Sequence, residues 1–441
     1  MSSDLYRDCR GNSICMVEAL KYAIDSGYEP GPDELYSVSG LLGLATKKTS
    51  AFLGRYMDVF TRLVQRNCVV VGDGELCIYS WSPRAYIRYF PVSIDATGTI
   101  LYISRDGHVS TIAYPIHRAH DIEGRGVRLY SPSEKCVVEI TRRVDGYPIT
   151  FYYNPFLERW VCATRYVLHN MAYYGRQLVV EDINEFINPY ARVADYIASE
   201  NGLYEKLDKY RGYTFTFILE SPEPAITRPN IELFSPSDFK LYLLVARDPS
   251  GRLLTVRESS KLVDWETVCV LDYSVDTMED LERIVEEARN DLYHRSLFIR
   301  YGDNEYRPYT IEVKSRLYPE AMAVKYQSSP KSLLILASHG YGDVAVELLT
   351  SYGDIRSVGR EIVELYNRIE ELLVEKINND VVEEMLNEIG LYKQLKGELL
   401  RARKTGSVKR FVRKLVALAC GETVYEARDA LRKIHDILSS G

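Results

Sequence analysis

The sequence of 441 residues is short of several things, and each shortage removes a class of protein. No apolar run approaches the ~20 residues that cross a bilayer, and Met1-Ser2-Ser3-Asp4-Leu5-Tyr6-Arg7-Asp8 lacks the basic-then-apolar pattern of a signal peptide. A cytoplasmic protein with no membrane partner is expected. The eight Cys include no Cys-x-x-Cys pair and no Cys/His cluster at zinc spacing, so they are expected to be reduced and to serve packing, with no metal. Gln is scarce, at Gln65, Gln177, Gln327 and Gln394, a hyperthermophile-like trait in which thermolabile amides are reduced. Positive charge is not in excess either. A net charge of −7 excludes a protein that coats nucleic acid over its whole surface, and leaves only a local basic patch for that purpose.

What is present is ordinary for a globular chain: 46% hydrophobic and 27% charged residues, and length for two or three domains. An N-terminal helical and hairpin region is expected over 1–80. Residues 15–30 and 47–66 have helical periodicity, with Ile14, Val17, Leu20, Ala23 and Ile24 on one stripe and Phe52, Met57, Phe60, Leu63 and Val64 on another. Gly72-Asp73-Gly74 joins two apolar strands, Cys68 to Val71 and Leu76 to Tyr79. Helix then hairpin can also be a winged-helix reader, although Arg55, Arg62 and Arg66 are few basic residues for one. Over 81–328 the pattern is strand-rich, with strands at 100–103, 109–113, 137–140, 148–153, 160–163, 214–219, 241–246, 297–301 and 310–313. Amphipathic helices are expected at 180–200 and 278–293. An antiparallel α+β domain follows, and from 329 to 441 an all-helical domain.

In that last domain the segment Glu361 to Glu388 is acidic and the next is basic. Lys409, Arg410, Arg413 and Lys414 recur at helical spacing opposite Phe411, Val412, Leu415, Val416 and Leu418, and Arg401, Arg403 and Lys404 precede them. A stripe of this kind either contacts RNA phosphates or pairs with the acidic helices, within the domain or across a homo-oligomer.

The run Glu139 to Thr150 carries Arg142-Arg143-Val144-Asp145-Gly146. Around it, in order, stand Asp95-Ala96-Thr97-Gly98-Thr99-Ile100, Ile112 to Asp121, Thr214 to Pro222, His294 to Ile299 and Thr310 to Tyr318; before them come Leu76 to Trp81, Tyr86 and Phe90. These segments resemble the phage-type ATP-dependent single-strand RNA ligases of the nucleotidyltransferase superfamily, whose motif I reads Lys-x-Asp-Gly. The resemblance implies a nucleotidyltransferase (RNA ligase-like) antiparallel-sheet domain followed by a helical one. In that family the motif I Lys attacks the α-phosphate of ATP and carries AMP, an act that needs an amine able to lose its proton.

The departures are systematic. Arg143 matches the nucleophilic Lys, Thr97 the strand Arg, Ile218 the motif III Glu, His294 the motif IV Glu, and Glu312 the first motif V Lys; Asp145, Gly146 and Lys314 remain. A guanidinium holds phosphate but is a very poor nucleophile. Tyr147 and Tyr166 stand where small residues are usual and are expected to narrow the pocket. The resemblance therefore implies a degenerate member with no confident catalytic residue and no cofactor expected, which binds RNA or serves as a partner or scaffold subunit in RNA processing. The alternative is an active ligase that uses ATP and Mg. Three other readings stay open: Asp145-Gly146 as a hairpin turn, Lys314 as a solvated strand residue, and His117 with His120 as metal ligands.

Overall fold

The computed structural model describes residues 5–82, 88–174, 177–180, 185–350 and 353–440, so Tyr86 and part of the helix expected at 180–200 lie outside the described residues. The chain divides into two compact units, one of Met1–Ala288 with Ser296–Lys314, the other of Arg289–Arg295 with Ser315–Gly441.

The first unit opens with helices Ser13–Asp25, Pro32–Leu41 and Thr49–Arg62. Asn12 caps the first helix, its side-chain oxygen accepting from the backbone N–H of Ile14 and Cys15 at 3.0 Å each, which satisfies donors that a helix start leaves open. Sequence periodicity missed the second helix, whose signal is Pro32 in its first turn. Strands β1 (Val64–Val71) and β2 (Gly74–Trp81) form the expected hairpin, with Val71 opposite Gly74. They continue into β3 (Thr97–Ser104) and β4 (Val109–Ala113), giving an antiparallel sheet of order β1-β2-β3-β4. The hairpin is thus one edge of a larger sheet and not a free wing.

Contrary to the expectation of reduced thiols, Cys9 bonds Cys15 and Cys68 bonds Cys77. Cys68 and Cys77 face each other across the β1–β2 ladder, a juxtaposition that the register creates and that spacing along the chain does not advertise. Cys136, Cys162, Cys269 and Cys420 are free thiols.

The remaining strands are β5 (His120–Asp121), β6 (Val137–Arg142), β7 (Tyr147–Asn154), β8 (Arg159–Thr164), β9 (Met171–Tyr174), β10 (Gln177–Val180), β11 (Thr214–Glu220), β12 (Lys240–Arg247), β13 (Ser296–Tyr301) and β14 (Thr310–Lys314). They make a sheet β12-β11-β7-β8, a sheet β5-β14-β13-β6 and the pair β9-β10; every pairing is antiparallel except β5 with β14.

The sheets β12-β11-β7-β8 and β5-β14-β13-β6 each put apolar residues on one face and polar ones on the other. Phe151, Phe217 and Leu219 pack on Ala191, Ala194 and Ala198 of helix Pro189–Glu200. Ile140, Ile299, Ile311 and Val313 pack on Leu281, Ile284 and Val285 of helix Met278–Arg289. Because successive strand side chains alternate in direction, the residues between them point the other way, and these are Thr150, Thr216, Glu139, Thr141, Thr310 and Glu312. The polar faces are what build the site.

The second unit is all-helical among its described residues. The helix Ile355–Lys376 buries Ile362, Ile369 and Leu373 and packs against Val424–Ser440, which buries Leu431, Ile434 and Leu438. The chain as a whole is α+β, with antiparallel sheets followed by a helical C-terminal region. Among the described residues no helix is long and apolar enough to cross a membrane.

Candidate anion-binding cleft

Between the two polar sheet faces lies a cavity of about 380 Å³, in the size range of a small-ligand site. Thr97, Arg143, Gly146, Ile218, Glu312 and Lys314, six positions matched to ligase motifs in the sequence, all line it. Residues 143–146 do not form a hairpin turn: β6 and β7 belong to different sheets, and this segment crosses from one to the other along the cavity wall. Gly146 is required there. A Cβ on it would stand 2.4 Å from the Leu219 carbonyl oxygen and 2.8 Å from the Ile218 side chain, inside van der Waals contact. Gly98 plays a similar part at φ 99°, where the Arg165 backbone comes within 3.1 Å of its missing Cβ.

Other positions fall elsewhere. Asp145 does not line the cavity; its carboxylate accepts from the Ile226 N–H at 3.2 Å. His294 belongs to the second unit, where its ring is 2.8 Å from Asp291. Tyr147 and Tyr166 do not narrow the cavity, contrary to expectation. Pro148 and Thr150 of β7 face the cavity, so parity sends Tyr147 to the opposite side, against Tyr190 at 4.4 Å between ring centroids. Tyr166 is 41% exposed.

Six cations line the cavity (Arg118, Arg142, Arg143, Arg165, Arg300, Lys314) against four carboxylates (Asp121, Glu123, Glu139, Glu312), an excess that suits an anionic ligand. Arg143 pairs with Glu312 at 2.6 Å, and the Ser296 hydroxyl donates to the same oxygen at 2.8 Å. Burial alone would raise the Glu312 carboxyl; the Arg143 and Lys314 charges and these hydrogen bonds outweigh it and hold the group below the usual carboxylate range. Lys314 pairs with Asp121. Arg300 stands 3.3 Å from Glu139, which also accepts from the Val256 N–H at 2.8 Å. Arg118 lies over Trp81 at 4.0 Å and over Tyr89 at 4.6 Å. Arg165 approaches the same Trp81 ring at 5.3 Å, and its buried Nε has no hydrogen-bond partner.

The floor is uncharged at His117. This ring is 6% exposed, and its Nε2 stands 2.9 Å from the Pro308 carbonyl oxygen. Burial first, then the Arg247 and Arg300 charges, push its pKa well below the ordinary value, so Nε2–H donates and Nδ1, which has no partner, is left as a bare acceptor. His120 stacks between Tyr89 and Tyr309, 4.6 Å from each. The described residues hold one potential metal group, Cys68, Glu75 and Cys77, and its two sulfurs are bonded to each other. Of the four carboxylates that line the cleft, Asp121, Glu139 and Glu312 are each paired with a cation.

Motif matching missed Trp81, Tyr89, Glu139, Arg165 and Arg300. Their signal was available for the strand residues: charged or polar side chains two apart inside apolar strands, as Glu312 and Lys314 in β14 or Glu139 and Thr141 in β6, mark a buried polar face. Nothing in the local sequence marks Arg165.

The basic stripe of the second unit is partly neutralised. Arg401, Arg410 and Lys414 all come within 4 Å of Glu398, at 3.9, 3.1 and 2.5 Å. Arg403 is held by Glu383 and by the carbonyls of Ile377 and Asn379, and Arg413 donates to the Ser338 carbonyl at 3.2 Å. Lys404 and Lys409 have no acidic partner among the described residues. The acidic segment pairs mostly with the last helix, through Arg432 with Glu361 and Lys433 with Glu388. Phe411, Val412, Leu415 and Val416 are buried as the periodicity requires, whereas Leu418 is 46% exposed.

Fold and cleft together define an α+β protein with an interior, cation-rich cavity between two sheets. No family model matches the sequence, and no curated protein does. Among solved structures, the chain is similar to an archaeal ATP-dependent RNA ligase (13% identity over 74% of this chain and 79% of that one, TM-score 0.35). It is also similar to a putative ATP-dependent DNA ligase from Aquifex aeolicus (13% identity, 78% and 80%, TM-score 0.35). A Naegleria gruberi RNA ligase variant with AMP and Mn is a further neighbour (10% identity, 58% and 97%, TM-score 0.30). These likenesses are remote, and the chemistry of the site is carried by the cleft residues themselves.

Proposed function

We propose that this chain is an RNA ligase-like protein that does not adenylylate itself, and that its cleft holds a phosphate-bearing ligand, a nucleotide or an RNA end, without covalent capture. One observation carries this reading: at the position of the nucleophilic amine stands the Arg143 guanidinium, in a 2.6 Å ion pair with Glu312. A protonated, delocalised guanidinium cannot attack phosphorus. The cleft cations instead offer what binding needs, positive charge fixed in a partly dry site where Coulomb attraction is stronger than in water. Such a protein acts by holding RNA ends or as a partner subunit of an active enzyme. The exposed Lys404 and Lys409 would add phosphate-backbone contacts from the second unit.

The competing reading, an active ligase, needs an amine. Lys314 is the one lysine that lines the cavity among the described residues, and it is half-exposed and paired with Asp121. Incubation with α-labelled ATP and Mg²⁺ or Mn²⁺, followed by mass mapping, decides between the two. No AMP adduct is expected on the wild type or on Arg143→Lys, since Ile218 and the committed carboxylates remain. An adduct mapped to Lys314 would replace the proposal with the ligase reading.

A further inference from the structure

We infer that Arg165 is the residue of this cleft that grips a terminal phosphate monoester. The inference rests on the proposal that the cleft binds a phosphate-bearing ligand, and it adds the residue and the ligand group. Of the other five cations that line the cavity, four are already engaged. Arg143, Arg300 and Lys314 each have a carboxylate within 3.3 Å. Arg118 is sandwiched between the Trp81 and Tyr89 rings. Among the described residues, the Arg165 guanidinium lies near the Trp81 ring at 5.3 Å and the Tyr166 ring at 5.9 Å and has no carboxylate within 4 Å. Of the cavity-lining cations, it is the one among the described residues with a buried nitrogen that has no hydrogen-bond partner.

A buried, charged donor left open is expensive unless a ligand completes it. Burial disfavours the Arg165 charge first; Arg143 is close enough to disfavour it further and Glu312 close enough to favour it, and an anion beside Arg165 would add to the favourable side. Thr97 cannot serve instead, because its hydroxyl is spent on the Ile116 carbonyl at 2.7 Å. The position of Arg165 is built in, since its main chain packs on Gly98, whose φ of 99° and missing Cβ leave the room. The planar fork of arginine matches two oxygens of one phosphate, which a lysine cannot do.

The test compares a short RNA carrying a 5′-phosphate with the same RNA ending in a 5′-hydroxyl, binding each to the full chain and to Arg165→Gln and Arg165→Lys, with a melting curve for every variant. The wild type should prefer the 5′-phosphate by about tenfold or more, the size of one charge-assisted contact. Arg165→Gln should bind both RNAs alike, and Arg165→Lys should recover only part of the preference. A preference kept intact in Arg165→Gln overturns the inference and leaves the cleft reading standing. Should Arg165→Gln fail to fold, Arg165→Lys decides alone, and full preference there counts against the planar grip. AMP and inorganic phosphate serve as competitors: AMP displacing the phosphorylated RNA supports a shared phosphate site. A wild type with no 5′-phosphate preference and no AMP binding would remove the cleft reading together with this one.

Discussion

The two basic regions of this molecule hold their charges in opposite ways. In the cleft, Arg142, Arg300 and Lys314 stand on strands and Arg118, Arg143 and Arg165 on the segments that join them, and the surrounding carboxylates are too few to match them. On the C-terminal stripe, flexible side chains on helix surfaces converge on whatever acid lies within reach, and Glu398 alone collects three. Fixed geometry preserves an unmet charge, whereas mobile side chains cancel theirs locally. A row of basic residues in a sequence is therefore a weaker pointer to an anionic ligand than a single arginine held in a buried wall.

The comparison breaks most visibly at its glycines. Gly146→Ala forces a Cβ against the Leu219 carbonyl, 2.4 Å away, and because that backbone cannot swing aside as a side chain can, it should destabilise by about 3 kcal/mol or more. Gly397, in the helix Tyr392–Thr405, has nothing within 4 Å of a built Cβ, and Gly397→Ala should stabilise by roughly 0.5–1 kcal/mol. Denaturant melts of the two variants measure the contrast, and equal effects would mean that the crossing at 143–146 is looser than its geometry.

Next in size is the ion pair. Arg143→Ala strands the Glu312 carboxylate, and because the pair is partly exposed the loss should be about 2 kcal/mol. The double change Arg143→Ala with Glu312→Gln should recover part of it. By contrast, Glu398→Gln on the stripe should change stability by less than about 1 kcal/mol, its partners being solvent-exposed. Urea melts of the three variants beside the wild type check both halves of this contrast.

A smaller effect is expected with pH. The His120 ring, half-buried between tyrosines and near Arg118, has its pKa pushed down to about 4 by that burial first and the Arg118 charge second, while an unfolded chain titrates near 6.5. Between those values the unfolded state binds a proton that the folded state refuses, so stability is fully present above about pH 6.5 and falls as pH drops. The contribution is at most about 1 kcal/mol per pH unit, given the partial exposure. His120→Phe keeps the stacking and loses the proton. Its melting temperature should fall less steeply over that window than the wild type's, and parallel profiles would place the titration elsewhere.

The smallest effect is on the stripe. Replacing Lys409, Arg410, Arg413 and Lys414 with Ala removes two residues tied to Glu398 and one tied to Ser338. If the stripe touches RNA, the log–log salt slope should flatten by roughly one unit and not by four. A drop of four would show that RNA competes successfully with Glu398.

The α+β order, nine strand positions, the β1–β2 hairpin and the helical C-terminal region were legible in the sequence, because period-two and period-3.6 patterns are local and survive without knowledge of partners. The convergence of Thr97, Arg143, Ile218, Glu312 and Lys314 on one cavity was legible only through motif order. Tertiary structure alone decided the rest. Which sheet β7 joins turned an apparent Asp-Gly hairpin into a crossing between sheets. Cross-strand register brought Cys68 against Cys77, and strand parity sent Tyr147 away from the cavity. Above all, the packing of one backbone on Gly98 put Arg165 in the wall, its buried Nε without a hydrogen-bond partner. Apart from that nine-residue cysteine pair, such relations join residues tens of positions apart, and no local pattern encodes a distance that the chain acquires only when it closes on itself.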